Sequence, residues 1–220
     1  MSDIKQSIEY TDSQKTQIEV KLQDITFTHN DWEGDDLIDL RKAIREFYKK
    51  EQYGFCSYCK NSVSIQVADN CHIEHIAPKS KYRSFIFEPK NLCVICAECN
   101  KIKRAQETLN QEPDTVNRGS NRKLYPRSSN AFKIVHPHFD NYEDHIEIFG
   151  DYFYVDKTVK GGYTILYCKL NRRLHHFGWR REYTEDSAVI DMAGKLLAET
   201  NPSGQRQMIE KMAKLILLRR

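Results

Sequence analysis

The chain has 220 residues, of which 40% are hydrophobic and 30% charged, and the formal net charge is +3. This composition is typical of a soluble globular protein, and the length suits one good core or one core plus a small satellite module. No stretch approaches the roughly 20 apolar residues that span a bilayer, and the N-terminus MSDIKQSIEYTD lacks the apolar segment of a secretory signal. We therefore expect a cytoplasmic protein without a membrane segment.

The charge is unevenly distributed along the chain. The first 40 residues hold ten acidic and three basic side chains, whereas the remaining residues hold 21 acidic and 31 basic ones. A basic body with an acidic tail suits a nucleic-acid-binding protein, although solvated charged faces are the commoner explanation of such a pattern. Residues 1–34 are predicted to form an acidic N-terminal arm, either partly disordered or ordered on the body.

A periodic apolar stripe predicts an amphipathic helix over residues 35–52. Its members are Leu37, Leu40, Ile44, Phe47 and Tyr48, and Gly54 is expected to end the helix. A stripe of this kind normally packs on a core. We therefore place the start of the central domain, predicted to span residues 35–110, at this helix.

Two cysteine pairs with metal-binding spacing follow the helix. They are Cys56/Cys59 and Cys96/Cys99, separated by 36 residues. Seven cysteines without a secretory signal argue against a disulfide framework, and two C-x2-C pairs can supply four thiolates to one tetrahedral Zn2+. The competing interpretations are four unligated thiols or an iron site. The other cysteines, Cys71, Cys93 and Cys168, are predicted to be small buried side chains.

The segment between the two cysteine pairs is predicted to form a strand, a loop and a second strand. CHIEHI predicts a short strand that Pro78 ends, and NLCVI predicts a second one after a polar loop. AECNKIKRAQETL then predicts a helix that begins at the second cysteine pair. The long gap therefore contains a structural unit that brings the two pairs together.

This segment resembles the HNH, or ββα-metal, nuclease family. The resemblance rests on HIEHIAPKS at residues 72–80, Asn91-Leu92, Cys99-Asn100 and Lys103, and it covers roughly residues 55–105. Glu74 stands where the family more often has Asp. The resemblance implies an α+β fold in which a zinc-clamped, treble-clef-like ββα core is flanked by helices and a small C-terminal β lobe.

The same resemblance assigns roles to residues of this segment. His75 is implied to be the general base, Glu74 and Asn100 to be ligands of a catalytic Mg2+ or Mn2+, and Asn91 to orient His75 by hydrogen bonding across the loop. Lys103 is a candidate phosphate contact. Further candidate nucleic-acid contacts are Lys79, Lys81 and Arg104.

Two histidines in the first strand are harder to place. His72 lies two positions before Glu74, so both side chains share one face of a regular strand. His72 is either a third metal ligand or hydrogen-bonding partner, or an unrelated buried histidine. Ideal alternation points His75 away from Glu74, a conflict that the family resolves with a strand that twists as it ends.

Three further segments are predicted beyond the central domain. Residues 111–130 predict a basic loop or linker, residues 131–182 a small β lobe, and residues 183–220 terminal helices. Within the lobe, HIEIFGDYFYVD and YTILYCKL are expected to be strands with a turn at Gly161-Gly162, and Asn201-Pro202 breaks the helical region. The loop offers Arg118, Arg122, Lys123 and Arg127 as phosphate contacts or solvated charges. The last helix has an apolar face formed by Ile209, Met212, Ala213, Leu215 and Ile216.

A wider resemblance extends to HPHFDNYEDHIEI at residues 136–148 and to TILYCKLNR. These segments are similar to HNH effectors of bacterial anti-phage operons, of the Septu (PtuB) and retron-associated kinds. The resemblance implies an SMC-like or ABC ATPase partner, which we expect to dock on the acidic first 40 residues or the last helix. The polar residues of this region either extend a DNA-binding face or, as we favour, pack the C-terminal lobe on the core. They are His136, His138, Asp140 and His145.

The sequence thus favours a metal-dependent endonuclease that acts on DNA. One alternative is a non-catalytic zinc module that binds nucleic acid or protein, and the presence of His75 counts against it. Another is an RNA nuclease, for which no aromatic RNP-type strand is present.

Overall fold

The computed structural model describes residues 2–108, 123–149, 153–178 and 187–217. The chain forms two compact units. The first comprises Met1–Glu147 and Asp156–Leu170, and the second comprises Ile148–Val155 and Asn171–Arg220. Among the described residues, no helix has both the length and the apolar character needed to cross a membrane.

The centre of the first unit is an antiparallel pair of short strands followed by a helix. Strand β1 (His72–His75) pairs with β2 (Leu92–Ile95) so that His72 faces Ile95 and His75 faces Leu92. All four residues of β2 are buried, which explains why this strand reads as an unbroken apolar run. The predicted mixed α+β class with a ββα core is confirmed.

Two helices cover this strand pair. Helix α3 (Ala97–Thr108) follows β2 and packs against β1, while α2 (Ile38–Glu51) packs against both strands. Helix α2 buries the predicted stripe at Leu37, Leu40, Ile44 and Tyr48, and Phe47 is half-buried. The turn after α2 has Gly54 at φ +74°, with its N–H donating to the Lys49 carbonyl at 2.9 Å. Glycine adopts this left-handed conformation without strain, as the predicted helix end requires.

The N-terminal segment is an integral layer of the first unit. It contains α1 (Asp12–Gln23), whose first turn is closed by a capping box between Thr11 and Gln14. The Ile4 N–H donates to the Pro137 carbonyl at 2.9 Å. Its buried apolar side chains are Ile4, Ile8, Ile18, Phe27 and Trp32. Of the two forms that we expected for residues 1–34, the structure has the ordered one.

One predicted strand is wrong. Strands β3 (Ile146–Phe149) and β4 (Phe153–Asp156) form a two-stranded sheet, but YTILYCKL lies mostly in a helix, α4 (Val159–Tyr167). Thr158 caps this helix by accepting a hydrogen bond from the Gly161 N–H at 3.1 Å. Gly161 is therefore in the first helical turn. A Cβ on Gly161 would lie 2.0 Å from the His145 carbonyl oxygen, so this glycine permits close packing and does not form the predicted turn.

The second unit contains most of the β3–β4 hairpin and three helices: α5 (Arg172–Phe177), α6 (Ser187–Ala198) and α7 (Pro202–Leu217). Pro202 begins α7, which agrees with the predicted break. In this unit Ala213 packs on the hairpin and Met212, which is fully buried, packs on Ala193 of α6. The predicted apolar face of the last helix therefore contributes to a core at these two positions. The side chains of Leu215 and Ile216, and all of Arg219-Arg220, lie outside the described residues.

Candidate functional site

The two cysteine pairs meet in one buried cluster. The sulfur atoms of Cys56, Cys59, Cys96 and Cys99 all lie within 4.8 Å of one another, and the Sγ atoms of Cys59 and Cys96 are 3.6 Å apart. A disulfide requires about 2.05 Å, whereas a tetrahedral Zn2+ with bonds of about 2.3 Å places its sulfurs about 3.8 Å apart. The donor set and the spacing therefore fit a structural zinc.

The strand pair brings these distant cysteines together. Gln52, at the end of α2, donates from Nε2 to the Phe55 and Val94 carbonyls at 2.8 Å and accepts from the Val94 N–H at 2.7 Å. The first cysteine pair is thereby tied to β2, while the second pair spans the junction of β2 and α3. Gln52 thus fixes both halves of the cluster to one strand.

The surroundings of the cysteines affect their protonation. Burial raises the pKa of the Cys56 thiol, and hydrogen bonding from the Cys56 side chain lowers the pKa of Cys96. A bound dication favours the thiolate form of all its cysteine ligands. Outside the cluster, Cys71, Cys93 and Cys168 are buried, as predicted, and burial raises the pKa of Cys93 to about 12.

Beside the strand pair lies a cavity of about 380 Å³. Its walls come from β1, α2, α3 and the segments that flank them. The lining residues are Trp32, Glu33, Arg41, Arg45, His72, Ile73, Glu74, His75, Lys79, Asn100 and Lys103. All four residues of β1 line this cavity, Glu74 and His75 among them.

His75 is held in one tautomer. Its Nε2 lies 3.0 Å from the Ile86 carbonyl oxygen, which only accepts hydrogen bonds, so Nε2 carries the proton and Nδ1 carries the lone pair. The edge of Trp32 packs on the ring with the centroids 4.6 Å apart. Burial, reinforced by the charges of Lys79 and Lys103, lowers the pKa of His75 well below its usual value. The imidazole is therefore neutral near neutral pH, and Nδ1 is its unprotonated nitrogen.

Glu74 and Lys103 form a buried ion pair. The Glu74 carboxylate also accepts a hydrogen bond from the Tyr58 hydroxyl at 3.0 Å. Lys103 is 1% exposed, and its ammonium donates to the His75 carbonyl at 2.8 Å and to the Ile76 carbonyl at 3.3 Å. The ammonium of Lys103, which the sequence offers as a phosphate contact, is thus held by Glu74, by β1 and by the residue that follows β1.

We expect Lys103→Met to destabilise the protein by about 3–5 kcal/mol, the usual cost of leaving one partner of a buried ion pair uncompensated. The partner left behind is the Glu74 carboxylate. Urea unfolding measures the loss. Lys101→Met, an exposed position on the same helix, is the matched control and should change stability by less than about 0.5 kcal/mol. Equal unfolding midpoints for the two variants would contradict the role of Lys103.

Asn91 supports the loop between the two strands, and its side-chain hydrogen bonds go to the backbone of that loop. It is fully buried, its Oδ1 accepts from the Ala77 N–H at 2.7 Å, and its Nδ2 donates to the carbonyls of Ala77 at 3.1 Å and Phe85 at 2.9 Å. Because Phe85 precedes Ile86, whose carbonyl holds His75, Asn91 acts on the imidazole through the loop backbone.

The chain around Asn91 is held by side chains from other parts of the first unit. The Pro89 carbonyl accepts from the Tyr48 hydroxyl at 2.6 Å, and the Lys90 carbonyl accepts from the Tyr125 hydroxyl at 3.0 Å. The Leu92 carbonyl accepts from His138 Nε2 at 2.8 Å. We call these three donors the clamp residues. They fix the stretch that enters β2 opposite His75.

His72, Glu74 and Asn100 line the same cavity and offer an imidazole, a carboxylate and an amide oxygen. The Nε2 atom of His72 lies 3.0 Å from the Asp69 carbonyl, and its side chain is half-buried. This donor set fits a divalent ion, and Lys103 keeps two backbone acceptors if such an ion takes the carboxylate. Within the described ranges, the four cysteines are the one cluster of three or more closely spaced His, Cys or carboxylate ligands.

The other predicted nucleic-acid contacts are scattered. Lys79 lines the cavity above the Trp32 ring, at 5.7 Å from its centroid, and Lys81 is exposed but not among the lining residues. Arg127 forms a double ion pair with Glu88 at 2.8 and 3.1 Å. The Arg104 side chain, Arg118 and Arg122 lie outside the described residues, and Lys123 is exposed.

The HPHFD motif is internal to the first unit. His136 is fully buried, with Nε2 2.8 Å from the Tyr125 hydroxyl, and His138 is one of the clamp residues. Asp140 accepts from Lys160 Nζ at 2.7 Å and lies 3.7 Å from His145 Nε2. These contacts agree with the packing role that the sequence analysis favoured over an extended DNA-binding face.

Five cavity residues were not predicted from the sequence: Trp32, Glu33, Arg41, Arg45 and Ile73. The first four precede the first cysteine. The two arginines are four residues apart on α2 and so share one face, next to the apolar stripe. This spacing was the available signal, but it does not reveal which part of the chain that face meets.

Comparison with known proteins supports the family resemblance of the central segment. Residues 56–106 match a family model described as HNH endonuclease. No curated protein and no solved structure matches the chain.

Proposed function

Because residues 56–106 form an HNH endonuclease domain, we propose that this protein hydrolyses phosphodiester bonds of DNA in the cavity beside β1. The observation that carries the proposal is the fixed tautomer of His75, which leaves Nδ1 unprotonated, in a residue that lines the same cavity as His72, Glu74 and Asn100. A non-catalytic zinc module has no need for a histidine oriented in this way.

The proposed reaction begins with a water molecule that loses a proton to His75 Nδ1 as its oxygen attacks phosphorus. The Ile86 carbonyl keeps the other ring nitrogen protonated and stabilises the imidazolium that forms. The 3′ oxygen of the preceding nucleotide leaves and takes a proton from a solvent water molecule, which gives the 5′-phosphate and 3′-hydroxyl ends typical of this family. Glu74, Asn100 and His72 are the residues that would hold a divalent ion, which would supply positive charge to stabilise the phosphate and the leaving oxygen.

We expect the purified protein to cleave plasmid DNA with added Mg2+ or Mn2+ and to lose cleavage in EDTA mild enough to leave zinc bound. The reason is that hard divalent ions exchange from oxygen ligands far more readily than zinc does from four thiolates. Agarose gels follow cleavage, and elemental analysis follows zinc. A matched RNA of the same sequence tests the RNA alternative.

Three outcomes of this assay are decisive. Cleavage that survives complete removal of divalent ions would contradict the metal assignment. Cleavage of RNA but not of DNA would show that RNA is the substrate. A folded, zinc-loaded protein that cleaves neither substrate with any divalent ion would favour the binding module.

We further propose that the protein is the nuclease effector of an anti-phage system with an SMC-like or ABC ATPase partner. The support is the resemblance of residues 136–148 to such effectors. Met212 of α7 is fully buried in the second unit, so the acidic N-terminal segment, with exposed Asp24 and Asp31, is the better docking element. Co-purification with the neighbouring gene's product tests this proposal.

A further inference from the structure

Two arginines of α2 line the cavity although they lie outside the segment that matches the HNH family. The guanidinium of Arg41 already has hydrogen-bond and ion-pair partners within the protein. Its Nη1 donates to the Trp32 carbonyl at 2.5 Å and the Gly34 carbonyl at 2.8 Å, and its Nε lies 3.8 Å from the Glu33 carboxylate. Arg41 therefore holds the cavity wall that contains Trp32.

Arg45 is anchored at one nitrogen only. Its Nε donates to the Cys71 carbonyl, immediately before β1, at 2.9 Å. Among the residues that the structure describes, none forms a hydrogen bond or ion pair with Nη1 or Nη2 of Arg45. The side chain is half-buried, so its guanidinium is fixed in orientation while two of its nitrogens keep their hydrogen-bonding capacity.

The charges of the cavity leave Arg45 without an acidic partner. The acidic residues that line the cavity are Glu33 and Glu74. Glu33 lies beside Arg41, and Glu74 is paired with Lys103. A cation without a carboxylate partner in a concave site attracts anions, and the guanidinium fork matches two oxygens of one phosphate.

We propose that Arg45 binds a backbone phosphate of the nucleic-acid substrate through Nη1 and Nη2 while Nε stays on the Cys71 carbonyl. This inference rests on the proposed function and extends the substrate site to α2. Arg45 contributes binding and takes no part in proton transfer, because a guanidinium does not titrate near neutral pH.

The test measures binding of a short DNA duplex at several salt concentrations, in a His75→Ala background that binds without cleaving. Arg45→Gln should weaken binding several-fold and reduce the slope of log affinity against log salt by about 0.9, the contribution of one phosphate contact on duplex DNA. Arg45→Lys should keep most of the slope because it keeps the charge. Lys42→Gln, at an exposed position of α2 outside the cavity, should leave the slope unchanged.

The salt slope separates a phosphate contact from a structural role. Loss of the Cys71 hydrogen bond lowers the melting temperature but does not alter the number of counterions released. If Arg45→Gln lowers the melting temperature and leaves the slope intact, the phosphate contact is wrong while the proposed function stands. If the parent protein binds neither DNA nor a matched RNA at low salt, both proposals fail together.

Discussion

Replacing Cys96 with serine is expected to remove the bound zinc and unfold the first unit. Zinc binding by four thiolates contributes about 10–16 kcal/mol in small zinc domains, which equals or exceeds the whole stability of a typical domain, about 5–15 kcal/mol. Cys96 closes β2 and begins the turn into α3, so its loss releases both elements. Elemental analysis of zinc and circular dichroism melting measure the two effects.

The matched control is Cys71→Ser, which alters a buried cysteine outside the cluster. This variant should keep about one zinc per chain and lose only the stability expected for a polar replacement in the core, about 1–3 kcal/mol. A well-folded Cys96→Ser protein, or a folded wild-type protein without zinc, would refute the structural role of the metal.

Replacing His75 with alanine is expected to lower the cleavage rate by about 10²–10⁴-fold, the usual contribution of a general base. Zinc content and DNA affinity should stay unchanged, since His75 touches neither the cysteine cluster nor, in the proposed mechanism, the phosphate. The measurement is the single-turnover rate on plasmid DNA with saturating Mn2+. The melting temperature should fall modestly, because the Trp32 edge loses its contact.

His72→Ala is the matched variant for this experiment, since His72 lines the same cavity three residues earlier in the strand. It should weaken activation by the divalent ion, seen as a higher ion concentration at half-maximal rate, more than it lowers the saturated rate. Near-wild-type cleavage by His75→Ala together with a large loss in His72→Ala would transfer the role of base to His72.

The parts of the fold that were predictable have short-range causes. The stripe on α2 follows from helical spacing, and the left-handed turn at Gly54 follows from one residue. The cysteine cluster follows from the metal-binding spacing of two cysteine pairs. In these cases the residues that form the sequence pattern are also the residues that form the structure, because they are close in sequence or have a specific chemistry.

The parts that were missed depend on contacts across the chain. The apolar content of YTILYCKL favours a strand, but the Thr158 cap and the close approach of Gly161 to His145 select a helix. The sequence around Lys103 is typical of an exposed lysine, but in the structure its ammonium binds the Glu74 carboxylate and the His75 and Ile76 carbonyls. Arg45 joins the cavity only because α2 lies over the start of β1, which no local pattern encodes.

The clamp residues Tyr48, Tyr125 and His138 all lie outside the segment that matches the HNH family. Their three acceptors belong to that segment, and each buried carbonyl that loses its donor costs about 1–3 kcal/mol. The segment that matches the family, residues 56–106, is therefore smaller than the part of the chain that stabilises its structure. A chimera that contains this domain therefore needs residues 1–147 and 156–170, because side chains from both flanks hold the chain that enters β2.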